Sequence, residues 1–472
     1  MTETKKIVIN PVTRISGFME IDVVLEGNIV ADARTEGLLF RGFEKMLEGR
    51  SPFDAVYFSE RICGICSAAH SIASSTALEE AFGIRISQQG RYLRDILHGC
   101  EFLQNHIRHF YQYTLPDFIK LPEGNTLFET DHNDFRLPKQ ENDAIVSHYF
   151  DSLTYSRNAH EMLAIFGGKA PHNHGVFIGG ITAQATVEKI ARLRSLLIDI
   201  QQFIYDKMIP DAYTIAKYYH EYFEIGRGCG NLLTFGCFHG YEKLKTLYVR
   251  PSTYSDYRVS ELNTAEITET VYSSWYTASP ETYTPFETVA EPDMKKSGAY
   301  SWVKAPRYKG LPYEVGPLAR MWLSGAYRNG ISAMDRTLAR VLEAKKIADS
   351  MLILMNNLIP GVCVQKEYEI PKSAYGAGLI DTTRGALGHW VKIENSLISL
   401  YQIITPSAWN LSTRSHDHLP GPGEQAMIGT CIKNSDTPVE LGRIIRSFDP
   451  CISCATHVYS NSNLMKTVQV VP

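Results

Sequence analysis

The chain has 472 residues, of which 44% are hydrophobic and 21% charged, a composition that excludes bulk disorder. Its 47 basic and 51 acidic side chains sum to −4, so no basic bias points toward nucleic acid or an anionic membrane. No apolar run reaches the about 20 residues that span a bilayer, MTETKKIVIN lacks a secretory pattern, and the length allows roughly three domains or one elaborated unit.

Strands are expected first: Ile7 to Ile9, then Phe18 to Val24, the turn-like Glu26-Gly27-Asn28, and Ile29 to Ala33 completing a hairpin. Helical spacing follows. Leu93, Ile96, Leu97, Cys100, Leu103, Ile107 and Phe110 predict a long amphipathic helix. Val187, Ile190, Leu193, Leu197, Ile200 and Ile204 predict another, ended by Pro210. Leu338, Val341, Ala348, Met351 and Leu354 predict a third, and three such helices predict a bundle. Residues 245–312, rich in Tyr, Thr, Ser and Pro, read as short strands and loops, and 360–435 return to Gly, Pro and β-branched residues. The expected fold is α+β, mainly helical around a central long-helix bundle. It has an N-terminal β-hairpin region (1–36), a helical body (37–244), a small β-rich insertion (245–312) and a helical C-terminal part (313–457). Without repeats or linkers, 1–457 read as a single interlocked unit, and 458–472 as a tail.

Nine cysteines are an odd number and a poor disulfide framework. Cys100, Cys229, Cys237, Cys363 and Cys431 stand alone and read as small buried hydrophobes. The other four form two CxxC pairs. One lies in Arg61-Ile62-Cys63-Gly64-Ile65-Cys66-Ser67-Ala68-Ala69-His70, the other in Asp449-Pro450-Cys451-Ile452-Ser453-Cys454-Ala455-Thr456-His457. One CxxC suits a redox dithiol; two most often make a structural zinc site. Against zinc stand the pairs' placement at opposite ends of the chain, a His closely following each, and the charged neighbours Arg61 and Asp449. Four thiolates suit nickel, iron or a cluster as well as zinc.

Both segments closely resemble the metal-binding signatures of the nickel-iron hydrogenase large subunit. The resemblance runs along essentially the whole chain. It takes in Asn10-Pro11-Val12-Thr13-Arg14, Phe40-Arg41-Gly42-Phe43-Glu44, Gly167-Gly168-Lys169-Ala170-Pro171-His172 with Gly179-Gly180, Glu314-Val315-Gly316-Pro317-Leu318-Ala319-Arg320, and Arg384-Gly385-Ala386-Leu387-Gly388-His389. It implies a catalytic subunit that splits hydrogen heterolytically and reversibly into protons and electrons. The centre it implies is nickel and iron, the iron carrying cyanide and carbon monoxide. By position Cys63 and Cys451 would be terminal nickel ligands, and Cys66 and Cys454 would bridge the metals. Arg384 would lie above them, held by the carboxylates of Asp117 and Asp449. Ser407 would bond a cyanide and His70 a bridging sulfur. Glu44, the Ile403 carbonyl and His457 would hold magnesium with waters. His172 and His174 read as structural loop residues.

The resemblance breaks at one place. The family usually has Thr-Arg-Ile-Glu-Gly-His where this chain has Thr13-Arg14-Ile15-Ser16-Gly17-Phe18. A hydroxyl relays a proton but holds no net one near pH 7. The expected proton path runs from Cys454 through Ser16 and ordered water; the alternative is the Arg384, Asp117 and Asp449 group. No ferredoxin-type cysteine spacing is present, so an iron-sulfur small subunit is the expected partner. Nickel-insertion machinery and an endopeptidase that removes Val458 to Pro472, leaving His457 last, are also implied. The compartment stays open: cytoplasmic, or membrane-associated or exported through the partner's signal. Two other readings remain at this point. One is a relative of the quinone-pocket subunit of respiratory complex I, which lacks the metal cysteines. The other is a zinc-stabilised interaction protein.

Overall fold

The computed structural model describes residues 4–124, 128, 130, 132–362 and 367–452. The chain opens with an antiparallel sheet of β1 (Thr4–Ile9), β2 (Met19–Glu26) and β3 (Ile29–Gly37), in that order. Met19, Ile21, Val23 and Leu25 alternate inward along β2, which is the period-two pattern of a half-buried strand. β3 runs past the expected Ala33, and β1 adds a third strand to the hairpin.

Short helices α1 (Phe43–Leu47) and α2 (Pro52–Glu60) lead to α3 (Ser67–Phe82) and α4 (Gln88–Arg108). Next come α5 (Lys139–Gly167), α6 (Val187–Phe203) and α7 (Ile209–Tyr218), and later α8 (Pro317–Leu323) and α9 (Ala333–Met355). α4 packs against α5 and α9, and α6 packs against the same two helices, so the three expected helices share one bundle with α5, which was not expected. Pro210 does not stop the chain there, contrary to the sequence reading. A wider turn, Ile204–Met208, follows α6, and Pro210 sits in the first turn of α7. A missing N–H is harmless in that position.

Between α7 and α8, Ile267–Thr270 pairs with Thr282–Tyr283 and Ala305–Tyr308, the expected β-rich insertion. The larger sheet lies further on and was not expected. β4 (Ser373–Thr382), β5 (Gly385–Glu394) and β6 (Leu397–Ile404) form an antiparallel meander. β5 is buried on both faces, so its residues show no alternation and its apolar run carried no strand signal. The chain closes through α10 (Pro406–Asn410), α11 (Pro422–Met427) and α12 (Val439–Ser447). Among the lone cysteines, Cys100 and Cys237 are buried as expected, Cys229 is half-buried, and Cys431 is exposed, contrary to expectation. Cys363 lies outside the described residues.

α3 rests directly on β4, at a distance only small residues permit. A Cβ on Gly378 would lie 1.9 Å from the Ala73 carbonyl oxygen and 2.7 Å from the Ala77 nitrogen; one on Gly376 would lie 2.3 Å from the Ala77 oxygen. These clashes are with backbone, which cannot turn aside. Gly378→Ala is therefore expected to destabilise the chain by at least the about 1–3 kcal/mol of an overpacked core. A lowered thermal-unfolding midpoint is the expected reading; an unchanged midpoint would mean that α3 can lift off the sheet.

Candidate metal centre

Two chain segments meet at the cysteines. Cys63 and Cys66 occupy the turn between α2 and α3, with Cys66 as the N-cap residue of α3. Cys451 follows α12 through Asp449, whose φ of 57° lies in the left-handed region and reverses the chain. The Cys451 backbone is pinned on both sides. Its N–H donates to Ser407 Oγ at 2.9 Å. Ser16 forms a parallel bridge with it, Ser16 N–H donating to the Pro450 carbonyl at 3.1 Å and Ile452 N–H to the Ser16 carbonyl at 2.7 Å.

The Cys63 and Cys451 sulfurs are 3.4 Å apart, although 388 positions separate the residues. The Cys63, Cys66 and Cys451 sulfurs all lie within 4.8 Å of one another, and all three residues are buried. Ile65 N–H and Cys66 N–H donate to Cys63 Sγ at 3.3 and 3.4 Å, and the start of α3 adds the positive end of its dipole. Cys454 and His457 lie outside the described residues.

Arg384 supplies the positive charge. It occupies the two-residue turn between β4 and β5 and is buried. Its Nε donates to the Asp449 carbonyl and its Nη2 to Asp449 Oδ1, both at 2.9 Å. Burial opposes its charge, but Asp449, then Cys451, Cys66 and Cys63, outweigh burial and hold the guanidinium well above its ordinary range. Burial likewise opposes the Asp449 carboxylate; Arg384, His109 and Arg340 prevail and keep it ionised, well below the usual carboxylate range.

Asp117 does not join this group, which corrects the sequence reading. It holds Arg446 through two bonds of 2.7 Å and pairs with Arg14 at 2.5 Å, tying α12 to the segment before β2. The second holder of Arg384 is Asn105 of α4. Its Oδ1 accepts from Arg384 Nη2 at 2.9 Å while its Nδ2 donates to Asp449 Oδ2 at 2.7 Å. An amide can accept and donate at once, which an ionised carboxylate cannot. Glu101, one turn earlier, accepts from the Ala68 and Ala69 N–H groups at 2.8 and 3.2 Å at the start of α3, and burial pushes it up to about 8. The signal for both was in the sequence. Arg94, His98, Glu101, Asn105 and His109 recur at intervals of three and four, a polar stripe on a helix that is buried nearly throughout. Such a stripe needs internal partners.

His70, in the first turn of α3, donates its N–H to the Cys66 carbonyl at 3.2 Å. His172 and His174 belong to a loop fastened by Ser67 Oγ, which donates to the Pro171 carbonyl at 2.6 Å, and by His174 N–H, which donates to the Gly167 carbonyl at 2.7 Å. Glu44 and Ile403 do come together, Ile403 N–H donating to Glu44 Oε1 at 3.2 Å. Lys304 Nζ lies between Glu44 at 3.0 Å and Glu269 at 2.9 Å. One ammonium thus faces two carboxylates, and the buried Glu269 Oε1 and Gln402 Oε1 have no hydrogen-bond partner.

Asn105→Leu is expected to leave Arg384 short of an acceptor and Asp449 short of a donor, at about 1–3 kcal/mol or more because both partners are charged. Chemical unfolding reads the loss; full stability in this variant would contradict the clamp.

A family model described as nickel-dependent hydrogenase matches residues 41–126, 124–330 and 323–457. The periplasmic NiFeSe hydrogenase large subunit of Desulfomicrobium baculatum is 36% identical over 96% of this chain and 95% of its own length. The quinone-reactive Ni/Fe-hydrogenase large chain of Wolinella succinogenes is 30% identical over 96% of each. Among solved structures, the Ni-Fe-Se hydrogenase from D. vulgaris Hildenborough superposes with a TM-score of 0.92 at 36% identity, covering 96% of this chain and 100% of that one. Matched from end to end at this identity, the chain belongs to the nickel-dependent hydrogenase family and is a nickel-iron hydrogenase large subunit.

Proposed function

We propose that this chain cleaves and forms molecular hydrogen heterolytically, on nickel and iron held by Cys63, Cys66, Cys451 and Cys454, the iron carrying cyanide and carbon monoxide. The observation that carries the reading is the convergence of three cysteine sulfurs within 4.8 Å in the field of one buried guanidinium. Soft thiolates in a dry pocket suit both metals, which when bound supply redox and Lewis-acid chemistry. Family membership and the buried cysteines leave the zinc-stabilised and complex I-like readings without support.

Arg384 acts as a fixed cation. Asp449 and the cysteines raise its proton affinity, so it stabilises charge well and serves poorly as a base. The proton therefore leaves by Ser16, whose backbone is paired with Cys451; with ordered water its hydroxyl is a relay. Ser407 accepts from Cys451 N–H, which leaves its own O–H to donate to a cyanide nitrogen. Glu44, the Ile403 carbonyl and His457 would hold magnesium. The excess carboxylate beside Lys304 and the unpartnered Glu269 and Gln402 oxygens support a hydrated hard cation there.

Electrons pass to a separate iron-sulfur small subunit across an obligate-type interface; the relatives' names, large subunit and large chain, support a partner. No helix among the described residues is long and apolar enough to cross a membrane, and the partner sets the compartment. An endopeptidase removes Val458 to Pro472 after nickel insertion.

The test is the purified complex, analysed for metals, for hydrogen-dependent reduction of a soluble dye, and for the large chain's intact mass. Nickel, with iron in excess of it because the small subunit's clusters add their own, dye reduction and a chain ending at His457 are expected. Zinc in place of nickel contradicts the activity, and nickel-loaded active enzyme retaining Pro472 contradicts the processing.

A further inference from the structure

Apart from the metal centre, a cavity of about 610 Å³ lies between the first sheet, the segment that follows α4, and α12. β1 and the segment before β2 line it with Lys5, Lys6, Thr13 and Arg14; the segment after α4 brings Asp117, and α12 brings Arg446. Its charges do not balance. Among the described residues around it stand four cations, Lys5, Lys6, Arg14 and Arg446, and two carboxylates, Asp117 and Asp436. The lysines are matched near solvent, Lys5 by Asp436 at 3.5 Å and Lys6 by Asp22 at 2.6 Å. The surplus therefore sits deeper, where Arg14 and Arg446 share the buried Asp117.

The same surplus shows in the hydrogen bonds. A guanidinium carries five N–H donors. Arg14 gives one to the Tyr113 carbonyl at 2.8 Å and one to Asp117 Oδ1 at 2.5 Å. Arg446 gives two to Asp117, both at 2.7 Å, and one to the Thr13 carbonyl at 3.3 Å. Five of the ten donors are left without an acceptor among the described residues. Both Asp117 carboxylate oxygens are taken, and its carbonyl accepts from a third guanidinium, Arg443. The other carboxylate beside Arg443 is Asp134, which is shared with Arg136. Burial opposes the Asp117 charge, but Arg14, Arg446 and Arg443 prevail and hold its carboxyl well below the usual range. Burial, and then Arg14, lowers Arg446 from its own ordinary range in spite of Asp117. One ionised carboxylate thus faces three guanidinia, and two of them line the cavity.

We propose that this cavity binds one small oxyanion of the size and charge of phosphate or sulfate, held by the spare N–H groups of Arg14 and Arg446. A planar guanidinium fork meets two oxygens of such an anion at once, which an ammonium cannot do. The anion would sit where two like charges from distant parts of the chain are pressed together. The segment before β2 runs on from Arg14 to Ser16, and α12 runs on from Arg446 to Cys451, and those two residues are bridged. An anion joining Arg14 to Arg446 therefore fastens the first and last described segments of the chain beside the cysteines. It does so without touching them, and the inference makes no use of the hydrogenase reading.

The test is calorimetric titration of phosphate into the purified complex, equilibrated in chloride at matched ionic strength. Saturable binding of one phosphate per large chain is expected, with sulfate competing. Arg14→Gln is expected to weaken binding by about tenfold or more, the cost of losing a charged donor. Arg258→Gln, which removes an exposed arginine outside the cavity, is expected to leave it unchanged. A second measurement needs no variant. The Arg14 side chain is 26% exposed and that of Arg446 only 8%, so phenylglyoxal can reach Arg14. Phosphate is expected to slow modification of Arg14 and not that of Arg258, read by peptide mass spectrometry. Absence of saturable binding, equal affinity in Arg14→Gln, or an Arg14 modification rate indifferent to phosphate overturns the proposal. The readout is anion binding and not turnover, so its failure and failure of the hydrogenase reading are separate results.

Discussion

A thiolate removed from water needs a positive charge close by, because the interior offers little other compensation. Here Cys63, Cys66 and Cys451 are buried together, and the guanidinium of Arg384 is the cation in their field. Much of the architecture around them keeps that one side chain in place. The turn that carries it is fastened by Arg320, which donates to the Thr382 carbonyl at 2.8 Å. Arg320 is itself gripped by Glu343 through bonds of 2.6 and 2.7 Å. Asp449 balances Arg384 from the other segment, so the charge that stabilises Cys63 and Cys66 also draws the Cys451 segment in.

This explains why a helix at the centre of a bundle carries so many polar residues. Along α4, Glu101 caps the start of α3, Asn105 joins Arg384 to Asp449, and His106 meets Glu343 at 2.7 Å. Each polar group would be costly if unpaired. Paired, they fix the register between α4, the β4–β5 turn and the end of α12. Hydrophobic packing alone specifies such register poorly, and a site assembled from segments 388 residues apart depends on it.

α4, α6, α9 and the first sheet were legible because apolar residues recur in each at a regular period, whereas α5, at 29 residues the longest helix described, was not read from the sequence. The β4–β6 sheet was not, because burying both faces of β5 erases the alternation that marks a strand. The meeting of Cys63, Cys66 and Cys451 was legible from the two CxxC pairs. The clamp on Arg384 was half legible. Asp449 adjoins Cys451 in the chain, which supported its role, whereas Asp117 rested on the family resemblance alone and serves Arg446 instead. Asn105 carries no charge and so gave no hint by type; only its place in the polar stripe of α4 pointed to it. Cys454 and His457, both read from the second motif, lie outside the described residues.

The central claim is that thiolates from the two ends of the chain hold nickel next to iron. X-ray absorption at the nickel edge of the purified complex, in the parent and in Cys451→Ser, tests it most directly. The account predicts a nickel surrounded by sulfur with iron as its heavy neighbour, and loss of that nickel when the Cys451 sulfur is removed. A nickel shell of nitrogen and oxygen, an absent iron neighbour, or an unchanged spectrum in Cys451→Ser would contradict it.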